Sequence, residues 1–322
     1  MAIIAVDLGG TKIAGGLFSG EGKLLSEITE PVAGSEGDEI LMSITGIIQM
    51  LLKEARAEKM KTSAIGVSVP GIYHREKATV WAPNLPGWDQ YPLPEKLRIR
   101  LGEAIPIAIE SDRSCYILGE IWQGNARGSR NAIYMAVGTG IGAGIVINGN
   151  VLQGVGYSAG AIGWMALNRP YLAAYQNCGC FEYHASGEGL ARVYRAYLGK
   201  QPSYRGDLDN ISPGKITSKD IFEAYQKKDP IAKQVIGEAV EFWGMSVANL
   251  VSIFNPEKII LGGGVFEAAA ALFDQVKTEA GKWAQPVAMN QVSIELTALG
   301  NRAGLYGAAY LALSSLKKKD AK

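Results

Sequence analysis

At 322 residues the chain is long enough for two domains and a substantial core. Its 48% hydrophobic and 20% charged residues are ordinary for a soluble globular protein. A formal net charge of +1 offers nothing global to recruit nucleic acid or an anionic membrane, and no apolar run approaches the roughly 20 residues of a membrane span.

In chain order, residues 3–25 (IIAVDLGGTKIAGGLFSGEGKLL) read as an apolar strand, a Gly/Thr turn and a returning strand. A helix is predicted over 36–60, where apolar residues recur at helical spacing and the end is rich in Lys and Arg. AIGVSVPGIY (64–73) is a buried strand ending at Pro-Gly, and 79–92 is a Pro/Gly-punctuated loop with two tryptophans. IPIAIESD (105–112) is another apolar strand, followed by a helix over 114–124. Residues 133–154 (IYMAVGTGIGAGIVINGNVLQG) repeat the first hairpin. Helices then follow near 186–199 and over 218–253, a strand over 258–264, and an Ala-rich helix over 303–316. Strands alternating with helices predict an α/β protein. The division between lobes is expected near residue 113, with 1–113 plus 299–322 forming a small lobe and 114–298 a larger one.

The repeated hairpin is the most telling pattern. Glycine in such a turn lets backbone N–H groups approach an anion that a Cβ would fend off. Two such turns suggest a nucleotide held between two related lobes, and hence phosphoryl transfer. The P-loop pattern GxxxxGK[ST] is absent, and GTGIGAG (138–144) lies between two strands, whereas a dinucleotide fingerprint needs a strand-to-helix turn. Cys115, Cys178 and Cys180 are too few for a disulfide scaffold, so a reducing cytoplasm is expected. The chain opens directly on a strand, and its basic end SSLKKKDAK reads as a solvated terminus.

DLGGTK (7–12), PNLPGW (83–88), VGTGIGAGIVINGNVLQG (137–154), GCFEYHASGEGL (179–190), NPEKIILGGG (255–264) and AGLYGAA (303–309) occur in order across nearly the whole chain. Together they resemble the ROK family of sugar kinases, within the actin/Hsp70/hexokinase superfamily. That resemblance implies two ribonuclease-H-like lobes around a central cleft holding ATP and sugar, with the C-terminal helix returning to the first lobe.

A hydroxyl that attacks a γ-phosphate needs a positioned base, charge neutralisation and in-line geometry. Asp112, at the end of a strand, is the candidate catalytic base, at the acid of the family's Glu-Asn-Asp triplet. Asp7, beside Gly9, Gly10 and Thr11, is placed to hold Mg²⁺ through water, and Lys12 is either a phosphate ligand or a surface lysine. The resemblance assigns Gly138, Thr139 and Gly140 to the phosphates, and Gly262, Gly263 and Gly264 to the adenosine side. It assigns Asn84 to a sugar hydroxyl, while Trp88 reads as packing.

Departures from the family pattern fall on the sugar and zinc positions. The triplet reads Glu110-Ser111-Asp112, and Gly-Glu-Ile-Gly-His reads Gly160-Ala161-Ile162-Gly163-Trp164. Of the remaining sugar contacts Glu182 is kept, leaving Ser111, Asp112, Trp164 and Glu182 beside Asn84. A substrate hydroxyl left unpaired costs about 1–3 kcal/mol, so Trp164 points to a less polar or differently substituted sugar face. The zinc pattern puts Trp164, Ala173 and Tyr175 at three ligand positions and keeps only Cys180. No zinc is expected, and the 165–180 loop is expected to be held by Trp164 and the Tyr171/Tyr175 aromatics.

The expected function is an ATP- and Mg²⁺-dependent kinase acting on a hexose or modified hexose. The alternative is a catalytically weak sugar- or nucleotide-binding regulator of the same fold. A small-molecule sugar is the expected partner, without nucleic acid or membrane, and a homodimer rests on the resemblance alone.

Overall fold

The computed structural model describes residues 1–320 apart from 33, 103, 104 and 202, with the backbone alone for 317–320. The end of the basic terminal run therefore lies outside the described residues. Packing divides the chain into two units: residues 1–129, 151–159 and 297–322, and residues 130–150 and 160–296.

In the first unit, β1 (Ala2–Leu8), β2 (Lys12–Ser19) and β3 (Leu24–Pro31) form an antiparallel meander. α1 (Gly37–Ala57) starts at a reciprocal capping box between Glu36 and Glu39 and buries Ile40, Ile44, Ile47, Ile48 and Leu51 along one face. β4 (Thr62–Val69) then runs parallel to β1. A Pro-Gly turn leads to the small hairpin of β5 (Ile72–His74) and β6 (Thr79–Trp81), the second of which lies in the stretch expected to be loop. α2 (Leu93–Leu101) is followed by β7 (Ile107–Ser111), parallel to β4, and by α3 (Asp112–Gln123). The sheet order is β3-β2-β1-β4-β7.

β1 and β4 are apolar on both faces because both faces are covered. Ile47 of α1 crowds Gly15 on one side. On the other, the C-terminal helix (Ala303–Asp320) passes so close that a Cβ on Gly66 would lie 1.8 Å from the Ala308 carbonyl oxygen. The same helix closes on α3 through Gly119 and Gly307, which meet the Ala303 and Cys115 backbones. This packing is why the expected division near residue 113 moves: α3 is bound into the first unit, and the chain leaves it only after Ser129.

The second unit repeats the pattern. β8 (Ala132–Val137) and β9 (Ile141–Ile147) form the second hairpin, and β10 (Asn150–Val151) follows. After the short helices and α4 (Cys180–Ala185), α5 (Gly187–Lys200), α6 (Ser218–Gln226) and α7 (Pro230–Phe254), β11 (Lys258–Gly262) enters parallel to β8. α8 (Gly264–Ala268), α9 (Phe273–Trp283) and α10 (Pro286–Gln291) precede β12 (Ser293–Leu296), parallel to β11. The order β10-β9-β8-β11-β12 reproduces that of the first sheet.

The helix expected over 218–253 is two helices. Lys228 turns at φ 71°, the Asp229 carboxylate accepts from the Ala232 amide at 2.8 Å, and Pro230 opens α7. The three thiols are free. Among the described residues no helix is long and apolar enough to cross a membrane.

Candidate active site

In the first unit the parallel register lines Asp7 of β1 beside Ser68 of β4, and Ser68 beside Glu110 of β7. Residues in register share a face of the sheet, so one polar row crosses three strands. Asp7 keeps part of its surface open, yet the protein packed around its carboxyl pushes it up to about 6. The Ser68 hydroxyl and Lys12 offset part of that rise, and the neighbouring Asp112 adds to it. The carboxylate lies flat on the C-terminal helix: a Cβ on Gly304 would sit 2.4 Å from Asp7 Oδ2.

Asp112 is the first residue of α3, and its Oδ1 accepts from the Arg113 amide at 2.7 Å. Burial raises its carboxyl, and the Arg113 charge works against that rise. Both shifts run in the direction that favours holding a proton, as a general base requires. Ser111 lies beside it with its hydroxyl turned to the helix cap, 3.1 Å from the Ser114 hydroxyl. Buried Glu110 is held by the Arg75 guanidinium and by Gln153 Nε2 at 2.9 Å. Arg75 lies outside every motif and Gln153 near the end of the 137–154 motif has no role legible there, because only the tertiary fold brings them to the triplet.

Gly9, Gly10, Thr11 and Lys12 form the first hairpin turn, closed by the Gly9 amide on the Lys12 carbonyl at 2.9 Å. Gly10 and Gly138 share one property: a Cβ at either would meet no protein atom within 4 Å. Packing therefore does not require glycine there, which fits a backbone kept open for a ligand. Asn84 is exposed in its turn. Trp88 is buried, stacked on Tyr91 at 4.4 Å, and donates to the Gly37 carbonyl at 3.1 Å, as packing requires.

In the second unit β8 and β11 are parallel neighbours, and the turns of Gly138–Gly140 and Gly262–Gly264 leave their adjacent carboxyl ends. Gly263, at φ 94°, is required by close approach, since a Cβ there would lie 2.4 Å from the Val137 carbonyl oxygen. Gly138, Thr139 and Gly264 line a cavity of about 540 Å³ together with Glu188, Arg195 and Ser218. That volume suits a nucleotide-sized ligand. Arg195 and Ser218 lie outside every motif, and Glu188 lies within 179–190 without a role legible there, because only the fold of α5 and α6 brings the three to one cavity. Gly262 is buried in the strand end.

Glu182 on α4 accepts the Ile141 amide at 2.6 Å, and burial raises its carboxyl. Trp164 is 57% exposed and does not anchor the 165–180 loop as expected, whereas Tyr171, also exposed, meets Tyr175 edge-on at 5.8 Å. Tyr175, buried, is an anchor as expected, its hydroxyl 2.7 Å from His184 Nε2 and that imidazole stacked on Phe242 at 4.7 Å. Among the described residues no three His, Cys, Asp or Glu side chains gather where they could hold a metal ion. Asp7, a single partly open carboxylate beside Ser68 and Lys12, is a hard oxygen donor of the kind a hydrated Mg²⁺ accepts.

The ROK family model matches residues 3–315. The chain belongs to the ROK family. Glucokinase of Halalkalibacterium halodurans is 31% identical over 312 residues, 96% of this chain and 94% of that protein. Glucokinase of Streptomyces coelicolor is 32% identical over 316 residues, 96% of each chain. A ROK family glucokinase from Streptomyces griseus, solved in complex with glucose and AMPPNP, superposes with a TM-score of 0.80 at 29% identity, covering 98% of this chain and 100% of that one. The α/β architecture expected from the ROK resemblance, two sheets of one topology in an actin-like fold, is the one observed.

Proposed function

We propose that this ROK protein is an ATP-dependent carbohydrate kinase that transfers the γ-phosphoryl group to a hydroxyl of a hexose or modified hexose. The observation that carries the reading is the pair of neighbouring carboxylates, Asp7 and Asp112, both raised by burial in one unit of a ROK fold. A binder without catalysis has no use for a second buried carboxylate beside the first. Glucokinase relatives at 31–32% identity support a sugar as the acceptor.

In this reading Asp112 accepts the proton of the attacking hydroxyl, and Asp7 orients the water shell of Mg²⁺. The metal–nucleotide complex supplies the transferable phosphoryl group and neutralises its charge. Gly138, Thr139 and Gly264, which line the cavity of the second unit, present backbone and hydroxyl groups to the nucleotide, and the open backbone at Gly10 and Thr11 is suited to an anion. Lys12, exposed on its strand, is free to meet a phosphate. Asn84 and Glu182 take sugar hydroxyls, and the exposed indole of Trp164 offers an apolar face to the substrate. The Ser111 hydroxyl, engaged in the cap of α3, acts by holding Asp112 in place. The lost polar contacts at Ala161 and Trp164 argue for a sugar other than plain glucose.

The deciding experiment measures ATP consumption with Mg²⁺ across hexoses, N-acetylhexosamines, aminosugars and less common aldoses and ketoses. Asp112→Asn is expected to lower sugar-dependent turnover by about a thousandfold or more while AMPPNP still binds. Wild-type turnover retained in Asp112→Asn removes that residue from the mechanism. A protein that binds AMPPNP but phosphorylates no sugar in the panel overturns the kinase reading in favour of a regulator.

A further inference from the structure

Glu182 was assigned to the sugar, yet its strongest bond is to the turn that the kinase reading assigns to phosphate. Its Oε2 accepts the amide of Ile141, the residue that follows Gly138-Thr139-Gly140, at 2.6 Å. The carboxylate is wedged between two backbones that have no side chains to exclude it. A Cβ on Gly140 would lie 2.8 Å from Oε2, and one on Gly163 would lie 3.1 Å from the same oxygen. Glycine at 140 is thus required by Glu182, whereas glycine at 138 is required by no protein atom.

The turn is tied at three points. It closes on itself through the Gly138 amide and the Gly140 carbonyl at 2.9 Å. Its first residue is tied to α5, whose Gly187 amide donates to the Gly138 carbonyl at 2.7 Å. Its far end is tied to α4 by Glu182. A turn of small residues has little stiffness of its own, so its shape depends on these ties. The tie through Glu182 is the one made by a charged acceptor in partly buried surroundings, where a hydrogen bond is strong.

We infer that Glu182 is a positioning residue for the phosphate turn, holding Gly138–Gly140 in its nucleotide-binding shape whether or not sugar is present. The inference rests on the reading of that turn as a phosphate site. A carboxylate that only touched sugar would leave nucleotide affinity untouched in sugar-free solution.

The test measures AMPPNP–Mg²⁺ binding by calorimetry without sugar, and deuterium exchange over residues 138–147 without nucleotide. Glu182→Ala is expected to weaken AMPPNP about tenfold and to speed exchange at the turn. Glu182→Gln, whose amide oxygen can still accept the Ile141 N–H, is expected to restore most of both. Should Glu182→Ala fail to fold, Glu182→Asp keeps the charge, retracts the oxygen and carries the same comparison. Wild-type affinity and exchange in these variants, or a loss seen only when glucose is added, overturns the inference. Failure of the wild-type protein to bind AMPPNP refutes the kinase reading instead, and the exchange comparison still decides whether Glu182 shapes the turn.

Discussion

Asp7 bears an energetic cost that its proposed role explains. Its carboxyl ordinarily titrates at 3.8 and is pushed up to about 6 here, chiefly by burial. Between those values the folded protein keeps a proton that the unfolded chain has released. Stability from this group is therefore full below the lower value and lost as pH rises through the upper one. At neutral pH the ionised carboxylate costs up to about 3 kcal/mol. Asp7→Asn is expected to raise stability at pH 7.5 by about 1–3 kcal/mol, to flatten the stability–pH curve between 4 and 6, and to lose turnover. Urea titrations of both proteins at pH 5 and pH 7.5 check this, and a variant less stable at pH 7.5 with the wild-type slope sinks it. Wild-type turnover is likewise expected to fall on acidification in a pH–rate profile, because Asp7 and Asp112, both raised by burial, must be ionised to act. The identity of these two acids was legible in the sequence from their place at strand ends. Their raised titration was not, because it depends on what packs around them.

The C-terminal helix carries none of the candidate site residues, yet it forms the floor under Asp7. Gly304 lies against the Asp7 carboxylate, and Gly307 and Ala303 lie against α3, whose first residue is Asp112. A methyl group at 304 would overlap the carboxylate and push it away. Gly304→Ala is therefore expected to lower kcat about a hundredfold, and to raise the Mg²⁺ concentration needed for half-maximal rate, with a smaller effect on Tm. An unchanged Mg²⁺ requirement with a large Tm loss would make Gly304 a packing residue only. The Ala-rich helix itself was evident in AGLYGAAYLALSSL, but which strand end it supports was not. The two hairpins, the strand 258–264 and α1 were likewise readable from apolar periodicity and turn glycines. The break between α6 and α7 was hidden because apolar periodicity continues across it. Only the Asp-Pro pair marks it, and that pair acts locally as cap and first turn.

Each unit has a hydrophobic core of its own. In the second unit one core joins β8, β9 and β11 to α4, α5 and α7, centred on Phe181, Trp243 and Leu261. In the first, one core lies under α1 and a smaller one under the C-terminal helix. Two sheets with separate cores are expected to lose cooperativity with each other on heating. Scanning calorimetry is expected to give a calorimetric enthalpy larger than the van't Hoff enthalpy. AMPPNP, whose proposed cavity is built from the second unit, is expected to shift one component more than the other. A single two-state transition that moves as a whole with AMPPNP contradicts this.

Local pattern carried the topology of both halves. An apolar strand, a Gly/Thr turn and a second apolar strand specify a hairpin wherever they occur, and their repetition announced a repeated sheet. The candidate acids and the glycine turns were legible for the same reason, since each belongs to a short contiguous motif. Four features came only from the folded chain: Arg75 and Gln153 on Glu110, Gly304 under Asp7, Glu182 on the phosphate turn, and the Tyr175–His184 pair that holds the 165–180 loop. Each joins residues distant in sequence or turns a motif residue toward a partner outside its motif. Hydrogen-bond geometry and van der Waals contact are settled by packing in three dimensions, and spacing along the chain does not encode them.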